Sequence, residues 1–138
     1  MKKLLMLGVL AVSVLAVGQE LKPVVTDLQS VRTVYVAGNN VSANYARKTL
    51  AQGKRLCLAL APKPDDADAT LTVDAVQSVG TGLFGPHQTN VQTSATLTLR
   101  DGSIVWSDAV GGGALNLDGK FGGQNIVWKL NKSICGKR

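Results

Sequence analysis

Between Ala69 and Ala109 polar and apolar residues alternate, and this pattern limits the fold more than any other feature of the chain. Leu71, Val73 and Ala75 would share one face of a strand, with Thr72 and Asp74 on the other. Farther on, Val91, Thr93, Ala95, Leu97 and Leu99 alternate with Gln92, Ser94, Thr96 and Thr98. Asp101-Gly102 is a favoured two-residue hairpin turn, and Ser103 to Ala109 returns as the partner strand. One face of such a sheet must be dry and the other wet or lightly covered. The dry face has to be covered by the rest of the chain.

Helical spacing supplies the cover. Val31 to Ala37 is β-branched and aromatic, a first strand stopped at Gly38. Asn39, Asn40 or Ser42 can cap a following helix, in which Ala43, Ala46 and Leu50 recur and Gly53 offers a left-handed C-terminal cap. Leu56 to Ala61 is a short second strand, and Pro62-Lys63-Pro64-Asp65-Asp66 then breaks regular structure. Val110 to Gly123 holds six glycines and reads as a mobile loop. Ile126, Val127, Leu130 and Ile134 form the apolar stripe of a last helix. The expected class is α+β, in the order β-α-β-β-β-β-α: a mixed, mainly antiparallel sheet of four or five strands with two helices packed on one face. No segment repeats at a fixed period, which excludes propellers and solenoids.

Residues 1–18 read as a signal peptide and 19–138 as a single α+β domain. Lys2 and Lys3 precede an apolar run from Leu4 to Val17, and Ala16-Val17-Gly18 places small residues before a cleavage point. The run falls short of the about 20 residues that span a bilayer as helix. A retained N-terminal anchor is the alternative. Gln19 stands where a lipoprotein would carry its anchor cysteine. The expectation is export to the periplasm or exterior of a bacterium, with contact to membrane only through the uncleaved signal. Loss of Lys2 and Lys3 leaves 13 basic residues against nine acidic ones.

In an oxidising compartment Cys57 and Cys135 are expected to pair. Two buried thiols are the alternative; no Cys-x-x-Cys motif suggests redox chemistry. A bridge needs Cα atoms within about 7 Å. Both helices must then finish at the same end of the sheet and run near parallel. Either the Pro62–Ala69 connection or the glycine-rich loop must cross back, and the first is favoured. That makes the strand at Thr70 parallel to the one at Val31.

Other constellations carry less. Gly80-Thr81-Gly82-Leu83-Phe84-Gly85 spells the dinucleotide fingerprint, but Pro86, His87 and a strand follow where a helix must begin. A flexible connection between strands is the better account. His87, the one imidazole, has no nucleophile signature beside it. Asp65, Asp66 and Asp68 lack the glycine and glutamate of a calcium loop, so caps and turns explain them. Asn40-Val41-Ser42 and Asn131-Lys132-Ser133 fit the glycosylation pattern and are discounted. Arg47, Lys48, Lys54 and Arg55 gather around one helix end, where they offset its dipole or meet an anionic partner. With two each of Phe, Tyr and Trp, base stacking has little support, and nucleic-acid binding is not expected. Leu83, Phe84, Trp106 and Trp128 are candidates for a partner-binding patch, although both tryptophans could simply cover the sheet. No catalytic, cofactor-binding or metal-ligating residues are assigned.

Gly53-Lys54-Arg55-Leu56, Asp65-Asp66-Ala67-Asp68-Ala69-Thr70-Leu71 and the segment from Ala95 to Trp106, followed by a terminal helix, together resemble small secreted or lipid-anchored bacterial envelope proteins. The pattern is similar to the N-terminal domain of Tol–Pal periplasmic proteins. That resemblance implies two helices on one face of a mixed sheet and a role in binding partners or supporting envelope assembly and transport. The functional expectation is a non-enzymatic, cofactor-free exported protein that contacts another envelope protein. The alternative is a small-ligand or lipid carrier using a groove beside Gly80–Pro86 and Gly111–Gly123.

Overall fold

The computed structural model describes residues 24–82, 85–111 and 119–136, with the backbone alone for strand residues 78–82 and 85–90. The signal-peptide reading of 1–18 therefore lies outside the described residues. Five strands form one sheet in the order β2-β1-β3-β4-β5: β1 Thr33–Ala37, β2 Ala59–Leu60, β3 Ala69–Gly82, β4 Gly85–Leu99 and β5 Ile104–Val110. Helices α1 (Val41–Gln52) and α2 (Lys120–Cys135) cover one face. The α+β class and element order match the sequence reading.

Alternation decides which face is covered. Val34 and Val36 of β1, Leu71 and Val73 of β3, and Ala95 and Leu97 of β4 are buried beneath Leu50 of α1 and Ile126, Val127 and Leu130 of α2. The opposite face carries Thr70 paired with Thr98 and Thr72 paired with Thr96, flanked by Tyr35. Hydroxyls suit that lightly covered face because water can satisfy them.

Strand β1 is parallel to both β2 and β3, while β3–β4 and β4–β5 are antiparallel. The pairing of Tyr35 with Thr70 gives the parallel arrangement expected from the cysteines. Helix α1 makes the crossover from β1 to β2, and the step from β2 to β3 needs no second helix. Leu60 of β2 and Ala69 of β3 are both level with Val34, so the chain needs only to pass around the start of β1. A 3-10 turn at Pro64–Asp66 makes that passage. Asp68 closes it: its carboxylate accepts from Arg32 N at 2.8 Å and Thr33 N at 3.1 Å, and its own N–H donates to Thr33 Oγ1 at 2.9 Å.

Asn40 caps α1, accepting from Ala43 N at 2.8 Å, and Gly53 ends it at φ 65°. Both helices run the same way. Near their starts Ser42 Oγ donates to Gly119 O at 2.8 Å, and near their ends Cys57 and Cys135 are bridged with Cα atoms 6.3 Å apart.

Three local readings are corrected. Gly122 and Gly123 belong to the first turn of α2 and are buried, where a loop was expected through Gly123. The residues that allow this are in the opposite helix: a Cβ on Gly123 would meet Ser42 O and lie 3.1 Å from Ala46 N. The flexible connection expected at Gly80–Pro86 is instead strand up to Gly82 and from Gly85. Pro86 is accommodated by a register shift between Gly80 and Gly82. Finally, β4 and β5 are joined by Arg100–Ser103, four residues where two were expected. Gly102 N donates to Leu99 O and Asp101 accepts from Ser103, which closes the wider turn.

Candidate functional site

Two features stand apart from the packed domain. The first is a ribbon. Beyond the pair Ala75–Thr93, β3 and β4 continue to Gly82 and Gly85, paired only with each other among the described residues. Strand β1 leaves the sheet opposite Thr72, and β5 stops opposite Thr93. This two-stranded section is about 20 Å long at the rise of an extended chain. No Asp, Glu, Lys or Arg occurs between Asp74 and Arg100. Val76, at its base, is 61% exposed.

Such a ribbon is marginal by itself, since a two-stranded hairpin has no second layer to bury against. An edge strand offers N–H and C=O groups along its length, which proteins usually guard with lysine, proline bulges or a covering element. Here Pro86 and the nearby bulge guard the tip end alone. Leu83 and Phe84, candidates to extend a partner-binding patch, lie outside the described residues. His87 is placed by its backbone in β4, and its side chain is likewise not described.

The second feature is a groove of about 740 Å³ between the C-terminal halves of α1 and α2. Trp128, Leu56, Lys54, Arg55 and Lys132 line it, with Gln52 and Gln124 at its sides. Trp128 is 54% exposed. The two proposed tryptophans are not brought together. Trp106 sits on the β5 flank of α2, packed against the core, and donates Nε1–H to Ser133 Oγ at 3.0 Å. Trp128 faces α1 instead. No described residue of Gly80–Pro86 or Gly111–Gly123, beside which a ligand groove is expected from the sequence, lines this groove, and the rest of those stretches lies outside the described residues.

The groove was half visible in the sequence. Lys54 and Arg55 are among the cations that gather around a helix end and Trp128 is a candidate for a partner-binding patch, whereas Lys132 carries no such signal. Only parallel helices joined near Cys57 and Cys135 bring it to the same place.

The fingerprint glycines end one strand and begin another, so no helix N-terminus is there to hold a pyrophosphate. No group of three His, Cys, Asp or Glu residues among the described residues could hold a metal ion. No helix among them is long and apolar enough to cross a membrane. Asn40 and Asn131, the possible glycan acceptors, are engaged: Asn40 Nδ2 donates to Val73 O at 2.9 Å, and Asn131 Oδ1 accepts from Cys57 N at 2.9 Å.

No family model matches this chain, and no curated protein does. Among solved structures it is similar to the solution NMR structure of an uncharacterized lipoprotein B from Nitrosomonas europaea. The two are 12% identical over 85% of this chain and 90% of that one, with a TM-score of 0.42. The likeness to Tol–Pal domains stays an expectation of the sequence.

Proposed function

We propose that this chain is an exported bacterial envelope protein without enzymatic activity that works by docking a partner protein on its β3–β4 ribbon. The observation that supports this is a ribbon about 20 Å long that no other described strand joins and that carries no charge. A partner strand laid along the ribbon would extend its hydrogen-bond ladder. Strand addition also suits a surface with few distinctive side chains, because main-chain bonds give the affinity. Export is supported by Lys2-Lys3 and the apolar run, and by a disulfide that persists in an oxidising compartment.

Photo-crosslinking in the producing cell tests the reading. A reactive residue at Gln88 on the ribbon is expected to yield a protein adduct of defined mass, and one at Arg100, on the β4–β5 turn, is not. Equal capture at both sites, or none at Gln88, overturns it.

A further inference from the structure

We infer that the groove between α1 and α2 is a binding site for an acidic peptide segment carrying one apolar anchor residue. This rests on the docking reading but concerns a different surface from the ribbon. The first argument is charge. Most other described cations are committed: Arg47 donates to Val36 O and Gly38 O, Arg32 to Gln29 O and Val31 O, and Arg100 to Asp65 O. Lys48 and Lys120 lie over the Tyr45 ring at 5.4 and 5.5 Å, and Lys129 lies 3.7 Å from Asp108. Lys54, Arg55 and Lys132 instead converge on the groove, and no carboxylate among the described residues lines it. Two helix C-termini end there, each equivalent to about −0.5 charge. Three cations exceed that sum, so about two positive charges remain for a ligand.

The second argument is the lining. Trp128 and Leu56 are its apolar groups, enough to seat one side chain and too little to wall an acyl chain. Gln52, Gln124 and Thr49 offer amides and a hydroxyl, which suit the main chain of a peptide. A lipid or detergent-like anion would find charge here but no tunnel, because Leu50 and Leu130 beneath are closed off at 2% and 0% exposure. The third argument is rigidity. The Cys57–Cys135 bridge and the bond from Cys57 N to Asn131 Oδ1 join both walls, and pre-organised walls lose little freedom on binding. Arg55 is the one described residue other than glycine with positive φ, at 61°, in the turn that carries it to the groove.

The test uses the oxidised full-length domain and a blocked, glutamate-rich peptide containing a single leucine, followed by Trp128 fluorescence and calorimetry. Saturable binding is expected, weakening as salt is raised. Replacing glutamate with glutamine in the peptide should abolish it. Trp128→Ala should weaken it about tenfold, and Lys54→Gln, Arg55→Gln and Lys132→Gln about two- to fivefold each. These residues are exposed, so each variant should keep its circular dichroism spectrum. Equal binding of the glutamine peptide, indifference to Trp128→Ala, or binding to phosphatidylglycerol vesicles in place of the peptide overturns the inference. Adducts from Gln88 that survive in the triple glutamine variant, with no peptide binding by the wild type, overturn it alone and leave the ribbon reading standing.

Discussion

Ser42 has one hydroxyl hydrogen, and Gly119 O takes it at 2.8 Å. The 2.7 Å contact between Ser42 Oγ and Thr93 Oγ1 must therefore be donated by Thr93. This buried chain links α1, α2 and β4, and it fixes how closely the helices approach. Gly123 shares the same spot, with Ser42 O and Ala46 N where a side chain would go. Gly123→Ala is predicted to force the helices apart and lower stability by about 1–3 kcal/mol, read as a fall in the urea midpoint at unchanged m-value. On the surface, Asp101 is held below the ordinary aspartate range, first by the Ser103 hydroxyl and then by the Ser103 N–H. Because the folded form favours the carboxylate, its contribution is present above the usual aspartate pKa and is lost as pH falls through the lowered value. NMR titration should show Asp101 ionising below a reference aspartate, and Ser103→Ala should move it back up.

At the scale of elements, the sheet separates into a packed part and, among the described residues, a two-stranded part. Replacing residues 78–90 with Asn-Gly joins Gln77 to Val91, already opposite one another, through a turn suited to that geometry. The shortened protein is predicted to keep its helices, its disulfide and its thermal midpoint to within a few degrees, while losing the Gln88-side adduct partner in competition assays. The sequence showed the packed part well. Leu71 to Ala75 and Val91 to Leu99 alternate because each residue there faces either helices or water, and the cysteine pair implied that β1 and β3 are parallel. It hid the ribbon, because Gly80-Thr81-Gly82 and Gly85-Pro86 are loop residues by local preference. Pairing propagated from the packed hairpin outweighs that preference, and the bulge absorbs the proline. Gly122 and Gly123 misled in the same way. Glycine in a helix costs about 1 kcal/mol per residue, and only the close approach of Ser42 in the other helix makes it necessary.

At the scale of the whole molecule, the bridge closes a separation of 78 residues. Restricting the unfolded chain over such a loop is worth about 4–5 kcal/mol, comparable to the net stability of a small domain. The Cys57→Ser, Cys135→Ser double variant is predicted to unfold at a markedly lower urea concentration, and the envelope-derived protein to begin at Gln19 with no alkylatable thiol by intact mass. The account as a whole depends on a ribbon that no other described strand joins. Amide hydrogen exchange on the isolated, oxidised protein measures that directly. The prediction is rapid exchange at Val79 and Thr89 beside strong protection at Leu71 and Leu97. Equal protection at all four would mean that the chain already covers its own ribbon, and would contradict the proposed docking.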